Sequence, residues 1–510
     1  MWVTLRVSIA AMHLKRLTIG LNVCMLASVS CSKTEPNDEA TDFRVLDLVP
    51  SAQRSSKLKL TSGQCGGEDR HQTRAPGIAD RHLRLDTWLA KLPAGEAKRT
   101  LLSPQQIDRH NAHRLNVEGT HRDISSPTVF SATSIRNEID DRKTWFEKKL
   151  QTGEFVEGSP GSFLGAQTIM MGAHPRKRHE DFRIVHREVP LYCVPLDHGI
   201  YRPSRDPEFD RNRCSSLHQG EAVRLLLSEA PSRSGRRPKP WTYLRTGHSV
   251  GWVRGLSAFT PSLSHEQILR FSHRQPRLMV LKDLVHLPSI GDVRSSRSKL
   301  RMGVDFPLVA ARHSGRAPHQ IVIPSATGLE ITEIPEGLSY GTERLPLTRQ
   351  ILWATAFAAL NQPYGWGGHG GGRDCSRFIY DLFMTVGVFL ARHSATQAKL
   401  GSPSIDVSDL PTEEKRTVIR QAAAQGIVLL YMPGHIMMYL GSERSKGNEQ
   451  DFVISSLSEF HIPCANGYDR VQRLDRVTVT NLELGRGSKK KSFLERITTV
   501  AVFGAPTDSD

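Results

Sequence analysis

Apolar positions near the C-terminal end of the chain follow two periods. Phe378, Ile379, Leu382, Phe383 and Val386 have the i, i+1, i+4, i+5, i+8 spacing of one helical face, with Gly387 as a stop. Further on, Gly426 to Tyr431 is an unbroken apolar run, Pro433-Gly434 a turn and His435 to Leu440 a second run. In that second run His435, Met437 and Tyr439 share one face, and Ile436, Met438 and Leu440 share the other. Phe452 to Leu457 reads as the next strand, so a helix followed by antiparallel strands predicts an α+β unit.

Upstream the period shortens. Between Phe182 and about Thr260, the runs 187–192, 222–227, 241–245 and 250–253 are separated by Gly, Pro, Ser and Asp clusters, the pattern of a small β-barrel. Arg277 to about Ile334 repeats the style and predicts a second barrel. Trp241 and Trp252 read as core residues sooner than as exposed holders of wall material. From Arg81 to about Glu157 the spacing is helical in patches, and Ser103, Pro104 and Gln106 have the order of a capping box.

The 510 residues allow three or four domains at about 150 residues each. Lys+Arg 68 minus Asp+Glu 52 gives +16, which points to an anionic neighbour. Nucleic acid is not that neighbour: the basic residues are scattered, no helix-turn-helix pattern occurs, and Lys489 to Lys491 reads as a solvated turn. His13 to Arg16 followed by the apolar stretch Leu17 to Val29 reads as an export signal whose start is Met12, too short to span a bilayer. Cys31 follows Ser28-Val29-Ser30 in an imperfect lipobox, so lipidation and simple cleavage both stay open there, and Ser32 suits outer-membrane sorting. The expected location is therefore the periplasm or cell envelope, with a membrane tether if Cys31 is lipidated. Ser32 to about Pro76 reads as a polar tether.

Of seven cysteines, Cys24 would leave with the signal, Cys31 sits at the processing site, and Cys65, Cys193, Cys214, Cys375 and Cys464 remain. Cys193 and Cys214 lie in one predicted barrel, where a disulfide and two buried thiols are both open. No Cys-x-x-Cys pair or His-Glu-x-x-His run occurs, so neither a metal site nor a cofactor is expected.

The chemistry concentrates in Asn361 to Phe383, where a glycine-rich turn with Tyr364 and Trp366 runs into Asp374-Cys375-Ser376. Cys375 falls in the first turn of the predicted helix, where free N-H groups and the helix dipole favour a thiolate, and the glycines admit close approach of a substrate. His435, on a neighbouring antiparallel strand, is the candidate base, and a third polar group from the following strand would orient it.

As a set, PYGWGG (363–368), RDCS (373–376), ARHSATQ (391–397), PGHIMMYLG (433–441) and VTNLELGRGSKKKSFLERIT (479–498) resemble the NlpC-type (NlpC/p60 superfamily) cell-wall cysteine peptidases. The likeness is to the subgroup in which two bacterial SH3-like domains precede the peptidase. It implies a multi-domain α+β chain: signal 1–31, tether 32–80, helical clip-like segment 81–165, SH3-like β-barrels 166–262 and 263–340, and a papain-like peptidase domain 341–510. It further implies Cys375 as nucleophile and His435 as base. Asp374 and Ser376 match positions that hold the free amino end of a short muropeptide, and Tyr364 and Trp366 match pocket residues.

Two departures stand out. Ser455 occupies the place of the usual third catalytic His, and Ala391-Arg392-His393 replaces a loop that offers a carboxylate or amide to substrate, leaving His393 on that side. His461 is an alternative orienting group, placed beyond the predicted strand. The implied activity is hydrolysis of the γ-D-glutamyl–diamino acid bond in peptidoglycan stem peptides, in short fragments with a free L-Ala end. The rival readings are a catalytically impaired wall-binding protein, an amidase or acyltransferase on the same fold, and a structural envelope lipoprotein.

Overall fold

The computed structural model describes residues 72–505 apart from 115–120, 127–129, 177–180, 231–238, 288–297, 310–319, 446–447 and 465–466. The predicted signal with Met12 and Cys31, and the tether as far as residue 71, lie outside the described residues.

The N-terminal part of the described chain is helical. α1 (Leu85–Leu89) buries Leu85 and Trp88. α2 (Pro104–His113) starts at Ser103, whose hydroxyl accepts the Gln106 N-H while the Gln106 side chain accepts the Ser103 N-H, the predicted capping box. α3 (Ala132–Gln151) and α4 (Ser162–Gly172) present Ile135, Ile139, Phe146, Phe163 and Met170 to one core. Trp241, Tyr243 and Trp252 belong to that same core; both tryptophans are 1% exposed, so they hold helices against a sheet and are closed to wall material.

That sheet contains β1 (His174–Pro175), β2 (Asp181–Ile184), β3 (Val189–Tyr192), β4 (Arg213–Leu217), β5 (Ala222–Ser228), β6 (Trp241–Thr246) and β7 (Val250–Arg254). The antiparallel order is β1-β5-β6-β7-β3-β4, with β2 also on β5. Cys193, just past β3, and Cys214, in β4, are joined by a disulfide with Cα atoms 5.1 Å apart. After α5 (His265–His273) a second antiparallel sheet has β8 (Arg277–Val280), β9 (Asp305–Val309), β10 (Gln320–Pro324), β11 (Leu329–Glu333) and β12 (Tyr340–Gly341) in the order β11-β10-β9-β8-β12. Its core takes in Ile268 and Phe271 of α5 and Phe182 and Ile184 of the first sheet.

The C-terminal unit holds α6 (Arg349–Ala358), α7 (Cys375–Met384), α8 (Ser394–Lys399), β13 (Ser404–Asp406), α9 (Thr412–Gln425), β14 (Ile427–Met432), β15 (His435–Ser445), β16 (Asn448–Pro463), β17 (Asp469–Asn481), α10 (Phe493–Arg496) and β18 (Thr499–Phe503). The strands form one antiparallel sheet ordered β13-β18-β14-β15-β16-β17. α7 buries Phe378, Ile379, Leu382 and Phe383 and closes through Gly387, whose φ of 75° is left-handed and whose N-H reaches the Met384 carbonyl. β16 is longer than predicted. His461 therefore lies on it, paired with Val471 of β17 and six residues from Ser455, about 20 Å along an extended strand, which removes it as the group that orients His435.

Buried charges tie α7 to both other sheets. Asp381 accepts from Arg373 Nε at 2.5 Å and from Arg377 Nε at 2.7 Å, all three side chains being 2% exposed. Arg373 continues to Asp283, just past β8, at 2.6 Å, and Arg377 to Glu221, just before β5, at 2.5 Å. Asp283 also holds Arg301, which reaches Glu188 at 2.7 Å. Removing one member of such a buried set leaves its partners charged and unpaired. Asp381→Ala is expected to lower stability by about 3–5 kcal/mol, read as the shift in the urea unfolding curve against the parent chain.

Candidate active site

Asp374 caps α7, its Oδ1 accepting the Arg377 N-H at 2.8 Å, which puts Cys375 at the first helical position. The N-H of a first helical residue has no carbonyl within its own helix, so it points outward beside the thiol. The backbone N-H groups of Ile436 and Ser376 reach the sulfur, so the thiol lies against the start of β15. Cys375 is 7% exposed and is the free cysteine among the described residues. Burial first, and then the Asp374 charge, push its pKa up to about 12.

His435 opens β15, after the tight turn from Met432, and is also 7% exposed. Burial, with Arg496 second, lowers its pKa to about 3, so the ring is neutral at physiological pH. Its Nε2 lies 3.1 Å from Ser455 Oγ on β16, whose side chain is fully buried. With the proton on Nε2, the imidazole donates to Ser455 and keeps the Nδ1 lone pair for a thiol proton. Thiol and imidazole thus rest uncharged.

Tyr364 and Trp366 are partly exposed on the loop before α7. Burial first, and then the negative charge of an ionised Cys375 and of Asp374, raise the Tyr364 pKa well above its usual value, and Tyr364 bridges to Arg373, two residues before the nucleophile. Phe209, from the first sheet's side, contacts both rings at centroid separations of 6.2 and 6.0 Å.

The surroundings differ from expectation at Asp374, Ser376 and the glycine loop. Asp374 does not offer a free carboxylate to a substrate ammonium. Arg392 grips it at 3.0 and 2.6 Å, and the Gly367 N-H at 3.1 Å and Ser376 Oγ at 3.1 Å take further lone pairs. Ser376 is likewise engaged, accepting from Arg392 at 2.9 Å. The glycines are filled from within: a Cβ on Gly367 would sit 2.6 Å from the Arg213 carbonyl oxygen, and one on Gly368 2.3 Å from Ser216 Oγ, so β4 takes the close approach expected of substrate. His393 stands exposed ahead of α8 and makes no side-chain cap bond, and the hydrogen bonds among the described residues do not join it to Cys375, His435 or Ser455.

Arg392 and Gln397 were missed as site-builders. Arg392 also donates to Ser215 Oγ at 2.9 Å, and Gln397 pins the Ser376 and Ala391 carbonyls at 2.8 Å each. A lone Arg in a short polar loop carries no periodic signal. Arg377 and Asp381, at i and i+4 on the side of α7 away from its apolar face, have the spacing of an ion pair, and only the structure shows that side to be buried as well.

A helix-borne thiol, a neutral imidazole on the neighbouring strand and a hydroxyl behind it are the equipment of thiol-based acyl transfer. Residues 361–463, which contain all three groups, match the model of the NlpC/P60 family. In structure, the chain resembles an NlpC/P60 endopeptidase from Photobacterium damselae subsp. piscicida with a TM-score of 0.63 at 15% identity, covering 82% of this chain and 97% of that one, a likeness of fold. An NlpC/P60 family protein from Bacillus cereus ATCC 10987 covers 64% of this chain and 100% of its own at 14% identity, with a TM-score of 0.40 too low to carry an argument. A search of curated proteins found no match.

Two outcomes follow if this site transfers acyl groups. A neutral base with a lowered pKa loses activity only when pH falls far enough to protonate it. Turnover should therefore stay level from pH 8 to pH 5, with no acid limb near the usual histidine value of about 6.5. A pH–kcat/KM profile with a limb near 6.5 would contradict the buried neutral imidazole. Ser455→Ala removes one neutral hydrogen bond, about 1 kcal/mol, so kcat should fall about fivefold to tenfold with KM little changed in steady-state kinetics.

Proposed function

We propose that this chain is a cysteine endopeptidase of peptidoglycan stem peptides, cutting the γ-D-glutamyl–diamino acid bond. The observation that carries the reading is the thiol at the start of α7, held against the start of β15, the strand that opens with His435, itself bound to Ser455, within a segment matching the NlpC/P60 family. In this reading Cys375 gives its proton to His435 as substrate settles. The thiolate then attacks the carbonyl, and the Cys375 backbone N-H supports the oxyanion. His435 returns the proton to the leaving amine, and water releases the acyl group.

The low exposure of Cys375 and the packing of β4 on the glycine loop favour short peptides over intact wall. The occupied Asp374 leaves the amino end of the substrate without an assigned partner. We read the two sheets before the peptidase as SH3-like modules, the segment before them as a clip, and the chain as exported to the envelope, with Cys31 as a lipid-anchoring or cleavage site.

The rival with an observation in its favour is a wall-binding protein without turnover, supported by a thiol held as far from ionisation as Cys375. Hydrolysis of L-Ala-γ-D-Glu-diaminopimelate, followed by mass with Cys375→Ala as control, separates the two. Release of L-Ala-D-Glu by the parent alone is the expected result; a folded parent that binds the peptide and releases nothing would leave the binding protein.

A further inference from the structure

Arg211 lies between the short helical turn Pro207–Phe209 and β4, on the first sheet's side of the glycine loop. Its neighbours fix its backbone: Asp210 accepts the N-H groups of Ile200 and Asn212, and Asn212 bonds Val194 and Leu196. The guanidinium sits 4.3 Å above the Trp366 ring and 5.5 Å from the Phe209 ring.

Among the described residues no carboxylate pairs with it directly. The nearby carboxylates, Asp206 and Glu459, are held by Arg473 at 3.0 and 3.3 Å, and that arginine also lies 5.2 Å from the Phe209 ring. Arg211 Nε is shielded from solvent without a hydrogen-bond partner, and so is Trp366 Nε1 beside it. Two orphaned donors in contact, one of them cationic, are costly unless an acceptor arrives to use them. The acceptor's place is near the nucleophile: Trp366, whose ring lies under Arg211, directly precedes Gly367, whose N-H binds Asp374, the residue before Cys375.

We propose that Arg211, with the Trp366 N-H, binds the free α-carboxylate of the residue whose γ-carbonyl Cys375 attacks. This rests on the γ-D-glutamyl reading above and deepens it. A γ-linked glutamate carries an unshared carboxylate three carbons from the scissile carbonyl, whereas an ordinary α-peptide has none there. A planar guanidinium fork matches that group, and an uncharged carboxamide answers it poorly. Arg211 is thus a specificity residue for the acid form of the stem peptide against the amidated form.

The test uses two peptides, L-Ala-γ-D-Glu-diaminopimelate and the same peptide with D-isoglutamine, titrated calorimetrically into the Cys375→Ala chain. The acid form should bind about tenfold or more tightly than the amide. Adding Arg211→Gln, which keeps the length and removes the charge, should bring the two peptides to equal affinity, and Arg211→Lys should restore part of the preference. Equal affinities in Cys375→Ala, or an Arg211→Gln change that weakens both peptides alike, would overturn the proposal. Cleavage by the parent chain judges the peptidase reading separately. Cleavage of both peptides at one rate sinks Arg211 alone, discrimination in binding without cleavage sinks the peptidase alone, and binding of neither peptide sinks both.

Discussion

Asp381 holds two guanidiniums at once, and the geometry of the site depends on that sharing. Its two oxygens fix Arg373, two residues before the nucleophile, and Arg377, two residues after it. Each arginine then reaches a carboxylate beside a different sheet, Asp283 by β8 and Glu221 by β5. The start of α7 is therefore clamped from both sides by largely buried charged groups. An ion pair in such a place adds little net stability over an apolar substitute, but it specifies position, because displacement exposes unpaired charge to a low-dielectric interior. The elements that position Cys375 are thus the same ones that hold the two preceding sheets against it.

That clamping explains why the site is closed. β4 lies directly on Gly367 and Gly368, whose left-handed φ values of 54° and 83° already favour glycine. Phe209 and Arg211 cover the aromatic pair on the loop. Water excluded from the thiol and the imidazole leaves both neutral, the thiol because a buried thiolate is poorly solvated and the imidazole because a buried cation is. Charge separation then belongs to the step in which a bound carbonyl accepts the sulfur's electrons, when polar groups of the substrate replace missing solvent.

The strongly periodic parts of this arrangement were readable in advance. The apolar face of α7, the strand-turn-strand of β14 and β15, and the Ser103 capping box all follow local rules that tertiary packing did not overrule. The distal halves of β16 and β17, Glu459 to Pro463 against Asp469 to Arg473, are less legible because the Asp469 to Arg473 stretch is mostly charged and polar and its pairing is set by the neighbouring strand. The same holds for the site. Cys375, His435 and Ser455 sit at fixed offsets within predicted elements, whereas Arg392 meets Asp374 across 18 residues of chain and Arg377 meets Glu221 across 156. Pairings of that kind leave no periodic trace in one sequence, and a lone Arg reads as surface until its partner is seen.

Arg392 shows what such a pairing does for chemistry. A carboxylate at the cap of α7 stabilises the helix start, yet its charge sits beside the sulfur and opposes thiolate formation. Arg392 offsets that opposition, its own charge lowering the thiol pKa while its two bonds hold the cap in place. The cap and its counterion work as one unit, a dipole that keeps the helix end ordered without placing net negative charge next to the nucleophile. The same bonds use up the acceptor sites of Asp374, so helix capping and capture of a substrate ammonium compete for one carboxylate. In this chain the cap takes it, while Arg211 Nε and Trp366 Nε1 stay without hydrogen-bond partners among the described residues.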